Sequence, residues 1–305
     1  MKIGLTYWLV DELSAHSISS QARFGESLGF DSFWLPENHF NEIALPDPLM
    51  LLSAVSATTS SIKLGTSSYL LPLRNPLMAA EQVAILDNLS HGRLILGVGR
   101  GYATGTLKAF NVKPQEKRER FEWCLKIMLE AWAGKGVSLN DEFTPVNVKP
   151  LPIQTPHPPI WIAAFGPKAL RQAGRLGLPY IASPIETQTQ LIKNLKIFSN
   201  AAEEAGHSPI ETRPVMRSIF ICDNKTELDE IKRAMSKANM PPGLETSKNI
   251  NDWSIIGEKD YVFDKIQEYR EILGITDLIV TRLRLTKVSD KRFRRSLEQI
   301  VSLLA

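Results

Sequence analysis

Between Lys2 and Val98 four short β-type runs alternate with three helix-type segments, and this rhythm restricts the fold more than any other feature of the chain. The runs are Lys2–Trp8 (KIGLTYW), Asp31–Leu35 (DSFWL), Ile62–Leu71 (IKLGTSSYLL) and Arg93–Val98 (RLILGV). Between them lie a helix from Ser19 to Leu28 stopped by Gly29, a helix over Asp47–Thr58 with an acidic N-cap and Pro48 in its first turn, and a long helix opened by Asn75-Pro76 that runs to Leu89. Antiparallel neighbours need only a tight turn, whereas a helix-length crossover returns the chain to the same edge and makes the next strand parallel.

The second half keeps the same order after an interruption. An amphipathic helix over Gln115–Ala133 is followed by a proline-rich, irregular insertion, residues 134–159. Strands then read at Ile160–Ala164, Tyr180–Ala182, Arg213–Cys222 and Asp277–Leu285, and helices at Pro167–Leu176, Gln188–Ala205, Thr226–Met235, Lys259–Leu273 and Lys291–Leu304. The polar stretch 236–252, broken by Pro241-Pro242-Gly243, is a candidate mobile lid before the last strand and helix. Eight strands with interleaved helices predict an α/β fold of the (β/α)8 TIM-barrel class, one domain over residues 1–305, a size such barrels reach as single units.

Composition excludes several function classes. The 36 basic and 33 acidic residues leave a net charge of +3, which is no nucleic-acid signature. The basic cluster KRFRR (Lys291–Arg295) reads as a solvated helix face. No apolar run is long enough to span a bilayer, and Asp11 and Glu12 arrive before a signal-length apolar core could form, so a cytoplasmic protein without a membrane partner is expected. Cys124 and Cys222 are too few and too far apart for a disulfide framework or a metal site.

In a barrel of this class chemistry gathers just beyond the strands. The residues there are Tyr7 and Trp8, Glu37-Asn38-His39, Ser67-Ser68 with Tyr69, Arg100-Gly101-Tyr102, Phe165-Gly166-Pro167-Lys168, Ser183, and Arg282 to Arg284. Gly97-Val98-Gly99-Arg100-Gly101 is the most informative of them: a bare turn lets a ligand approach the backbone, and one guanidinium there offers a forked donor set suited to phosphate. The plainer alternative is that the glycines only turn the chain and Arg100 pairs with a carboxylate. Tyr102 stands where a dinucleotide fingerprint needs glycine, so that motif is absent.

Four blocks, GFDSFWLPENHF (29–40), LLPLRNPLMAAEQVAILDNLSHGRLILGVGRGY (70–102), PHPPIWIAA (156–164) and GITDLIVTR (274–282), resemble in the same order the luciferase-like flavin-dependent oxidoreductases. This TIM-barrel family contains bacterial luciferase and its FMN- and deazaflavin (F420)-using relatives. The resemblance implies that Arg100, with Gly101 and Tyr102, meets the flavin phosphate, and that Ser67-Ser68 is a non-proline cis peptide against which the ring stacks. It also implies a second phosphate contact at the helix start after Ala164, where Gly166, Pro167, Lys168 and Ala169 offer backbone N–H groups and a positive dipole end. Gly99, at a position that is cysteine in luciferase, implies extra room near the reactive edge of the ring.

One departure limits what carries over. Luciferase has two successive histidines after the glutamate, whereas this chain has Glu37-Asn38-His39, and asparagine cannot exchange a proton near neutral pH. Light emission therefore does not transfer. His39 and Asn38 remain the candidate catalytic pair, His39 either as a general acid or as a packed histidine, and Glu37 reads as an anchor of the turn. The implied function is an FMN-dependent monooxygenase using reduced flavin and O2 on a small organic substrate, with a separate flavin reductase and a homodimeric assembly. The alternatives are an F420-dependent reductase or dehydrogenase, to which the GPK sequence is similar, and a non-catalytic flavin-binding protein, which Asn38 keeps open.

Overall fold

The computed structural model describes residues 1–8, 13–42, 44–140, 144–236, 247–282 and 288–304. In chain order these form β1 (Lys2–Thr6), α1 (Ala15–Leu28), β2 (Ser32–Leu35), α2 (Pro48–Ser56), β3 (Lys63–Thr66), β4 (Tyr69–Leu70), α3 (Pro76–Leu89), β5 (Leu94–Gly99), α4 (Thr104–Ala109) and α5 (Lys117–Trp132). They continue with β6 (Ile160–Ala163), α6 (Pro167–Arg175), β7 (Tyr180–Ile181), α7 (Gln188–Glu204), β8 (Pro214–Ile221), α8 (Lys225–Ser236), β9 (Ser254–Gly257), α9 (Lys259–Leu273), β10 (Asp277–Thr281) and α10 (Asp290–Leu304). The chain divides into two compact units, one of residues 12–24 and 32–163, the other of residues 1–11, 25–31 and 164–305.

In the unit of residues 12–24 and 32–163, β2 pairs in parallel with β3, β3 with β5, and β5 with both β4 and β6. Each of β2, β3 and β5 returns through a helix, the parallel arrangement that the alternation predicts. The core is built on two tryptophans: Trp34 of β2 and Trp161 of β6 stack at 5.1 Å. Gly65 of β3 makes room for them, since a Cβ there would lie 2.2 Å from the Trp34 ring. Arg93, at the foot of β5, is buried and donates to the carbonyls of Ser56, Thr59, Ile62 and Ser90, tying the end of α2 to the strand that follows α3. Asp87, buried at the end of α3, accepts from the Gln154 backbone and side-chain N–H groups and so pins the far end of the 134–159 segment.

In the other unit β1 pairs in parallel with β10, β10 with β8 and β8 with β9, and Ala182, just past β7, bridges in parallel to Val215. Every residue of β8 is buried, as befits a strand covered on both faces. The basic cluster lies on α10, where Arg292 pairs with Asp223 and Glu227, Arg294 with Asp290, and Arg295 with Asp223, an ion-paired surface face. Among the described residues no helix is long and apolar enough to cross a membrane.

Local readings of the sequence need three corrections. The run 62–71 is not one strand: it breaks at Ser67-Ser68 into β3 and β4, because both residues leave the strand geometry. The strand β9 and the helix α4 carry too few residues to show a period and were not expected. Of the candidate lid, 237–246 lies outside the described residues; Ser236 ends α8, and Ile250–Asp252 is a single 3-10 turn leading into β9.

Candidate active site

The loop after β2 is organised by a carboxylate. Glu37 is buried; its Oε2 accepts the Leu70 backbone N–H at 2.9 Å and its Oε1 accepts Arg74 Nη2 at 2.6 Å. The same Oε1 lies 2.8 Å from His39 Nε2. One side chain thus joins the ends of β2 and β4 to the segment opening α3, as its reading as an anchor requires. Arg74 stacks over Tyr69, 4.4 Å from its ring centre, and Tyr69 donates to Gln82, so the Tyr69 hydroxyl is committed to packing.

Asn38 is committed to the loop itself. Its Oδ1 accepts the Leu45 N–H at 3.1 Å and its backbone pairs with Leu45, which closes the 38–45 excursion. Its carbonyl is therefore occupied by a structural bond. His39 is held differently: beyond the Glu37 bond, its ring meets Phe110 edge-on at 5.0 Å and Phe40 at 5.6 Å.

The Ser67–Ser68 peptide is cis and non-proline. Among the described residues Ser67 Oγ is buried without a hydrogen-bond partner, an orphan at the end of a strand. Gly99 of β5 lies beside this bond, and a Cβ built on it would sit 2.1 Å from Ser68 Oγ. This corrects the expectation that Gly99 leaves extra room: the space of the missing side chain is filled by the Ser68 hydroxyl.

Arg100 follows β5 and is 8% exposed, with its guanidinium donating to the Ala163 carbonyl at 3.4 Å and lying 5.9 Å from the Phe121 ring centre. Burial and then the charge of Arg118 lower its pKa to about 10, against a smaller opposing effect of Glu122, so it stays cationic at neutral pH. Burial, Arg100 and Arg118 likewise lower the Lys117 ammonium, which donates to the Gly101 carbonyl at 2.9 Å. Lys117 and Arg118 begin α5, whose first turn has no side-chain cap. Cations at the positive end of a helix dipole repel it, so a concentration of them there favours an anion. The sequence reading missed Lys117 and Arg118, although basic residues at a helix start were a legible signal. Tyr102 is 63% exposed.

In the other unit, Ala164 is buried and Gly166 takes φ 82° as it opens α6, with no side-chain cap and Pro167 in the first turn. Lys168 is exposed. The expectation of free N–H groups needs one correction: the Ala169 N–H donates to the Gly166 carbonyl at 3.0 Å, because the first turn closes on itself. Ser183 is drawn into a buried network: its N–H donates to Glu186 Oε1 at 2.6 Å and its carbonyl accepts Arg217. Trp8 donates to Asp290 and packs on Phe293, and Arg282 lies over that same Phe293 ring; both belong to the packing around α10. Residues 283 and 284 lie outside the described residues.

The family model described as luciferase-like monooxygenase matches residues 5–276, and the chain belongs to that family. Its members are oxidoreductases that work with flavin or F420. The alkanal monooxygenase alpha chain of Photorhabdus luminescens is 28% identical over 189 residues, 61% of this chain and 52% of that one. The chain spans roughly half to two thirds of the length of the curated relatives it matches, from 46% to 64%. The oxygenating constituent of 3,6-diketocamphane monooxygenase from Pseudomonas putida, solved in complex with FMN, superposes with a TM-score of 0.81 at 20% identity, covering 100% of this chain and 98% of that one. The F420-dependent tetrahydromethanopterin reductase of Methanopyrus kandleri gives 0.74 at 20% identity over 99% and 98%. At such identities the likeness establishes a shared α/β fold with parallel strands.

Proposed function

We propose that this chain is a flavin-dependent oxidoreductase that uses reduced FMN and O2 on a small organic substrate. The observation that carries the reading is the gathering of Arg100, Lys117 and Arg118 at the uncapped start of α5, a ready site for the phosphate of FMN. The orphaned Ser67 hydroxyl at the end of β3 fits the polar edge of a flavin ring, which would give it the partner it lacks. In the other unit, the start of α6, with Gly166, Pro167 and Lys168, is a separate candidate anion contact.

When bound, FMN would supply two-electron reduction and the activation of oxygen. The protein residues bind, orient and move protons: Arg100 and its neighbours hold the tail, Ser67-Ser68 flank the ring, and Glu37 holds the loop that carries His39. His39 is then the proton-exchanging group of that loop, with Asn38 a structural residue. Reduced flavin would come from a separate reductase, in the cytoplasm, without nucleic acid or membrane as partner.

The F420 reading is favoured by Lys168, exposed at a helix start where it could meet a longer anionic tail. Titrating the purified chain with FMN and with F420 separates the two: tight binding of FMN supports the first reading, F420 preference the second. Binding of FMN without turnover of reduced FMN over a panel of aldehydes and ketones would point to a flavin-binding protein without catalysis.

A homodimer is part of the proposal. Met50 on α2 and Met78, Ile85 and Leu89 on α3 are 71%, 58%, 45% and 53% exposed, an apolar group that a second copy would cover. Sedimentation velocity is expected to give twice the chain mass; a monomer at micromolar concentration rejects it.

A further inference from the structure

We infer that Glu37 is a positioning residue acting through His39: it fixes the ring as the Nε2–H tautomer and leaves Nδ1 as the atom that exchanges protons. The geometry that carries this is the convergence of three groups on one carboxylate. The Leu70 backbone N–H and Arg74 Nη2 are obligate donors, at 2.9 Å and 2.6 Å, so Glu37 is engaged as an acceptor on both oxygens. In the third contact, 2.8 Å from Oε1 to His39 Nε2, the hydrogen must then come from the ring.

Two features make the assignment sharp. The Glu37 side chain is 0% exposed and the His39 side chain 6% exposed, so solvent competes little for the Nε2 bond. The edge contact with Phe110, at 5.0 Å and 64°, opposes the ring flip that would exchange the two nitrogens. No described residue bonds Nδ1. In its neutral state the ring carries a lone pair there; on taking a proton at Nδ1 it becomes an imidazolium beside the Glu37 carboxylate, and the same proton leaves by the same atom while Nε2–H stays in place. Arg74 has a part in this too, because its Nη2 holds Oε1, the same oxygen that meets His39, at 2.6 Å.

The catalytic meaning of this arrangement rests on the flavin-enzyme reading, whereas its test reads the ring itself and needs no flavin. The chain holds five histidines, so 15N-labelled histidine with a His39→Gln variant identifies the His39 signals by long-range 15N–1H correlation. The wild-type neutral ring is expected to show a protonated Nε2 and an unprotonated Nδ1. In Glu37→Gln, which offers one acceptor in place of two, that preference is expected to fall by about tenfold, the loss of one charge-assisted bond. A proton on Nδ1 in the wild type, or an unchanged preference in Glu37→Gln, overturns the inference. Should Glu37→Gln fail to fold, the wild-type spectrum alone decides between the two tautomers. Failure to bind FMN would defeat the proposed function and leave this result standing.

Discussion

Replacing Arg100 with alanine is expected to weaken FMN binding by roughly ten- to a hundredfold, about 1.5–3 kcal/mol, the worth of a charge-assisted contact. The loss is expected to be partial because Lys117 and Arg118 remain beside the site, their charges already felt by Arg100. Riboflavin supplies the control, since it has the ring and lacks the phosphate. Its affinity should be unchanged in Arg100→Ala, so that the variant loses the preference for FMN over riboflavin. Raising the salt concentration should weaken FMN in the wild type more than in the variant, because one of the charges that salt screens has been removed. Fluorescence or calorimetric titration reads all three quantities, and an FMN affinity equal to wild type takes Arg100 out of the site.

The largest loss of stability is expected at Arg217. This arginine of β8 is fully buried, and its guanidinium donates to the Tyr269 hydroxyl at 3.1 Å and to the carbonyls of Ser183, Met216 and Glu186 at 3.0, 2.7 and 2.7 Å. The Glu186 carboxyl beside it is also buried; burial raises its pKa, while bonds from Tyr180, the Ser183 N–H and Asn194 act in the opposite direction. Arg217→Met keeps much of the volume but strands three carbonyls and removes the guanidinium charge that the Glu186 carboxyl feels. The expected cost is about 3–5 kcal/mol, the range for breaking a buried, hydrogen-bonded charge, and it is a large share of a typical folding free energy. Urea unfolding of the two proteins measures it; a difference under about 1 kcal/mol would mean that the network contributes little.

The legible and illegible parts of this protein differ in range along the chain. Strand and helix periods repeat within a few residues, and so the order of elements from β1 to α10 could be read directly, apart from pieces as short as β9. Arg100 was legible for a related reason, as the single cation on a glycine-rich strand exit. The contacts that give it a setting were not: Lys117 and Arg118 come to it across α4 and the turn before α5. Glu37 meets Arg74 across 37 positions, and nothing in the local pattern of either residue announces the other. Gly99 shows the converse hazard, since a missing side chain reads as space until the Ser68 hydroxyl is found in it.

By itself the sequence determined the parallel alternation of strands and helices, the family, and which polar residues stand beyond the strands, because these follow from periodicity and from motifs contiguous in the chain. Only the tertiary structure decided that Asn38 closes a loop, that Glu37 grips His39 by Nε2, and that three cations share the start of α5. Hydrogen bonds and charges act over a few ångströms of space, and folding brings within that reach groups that the chain keeps tens of residues apart.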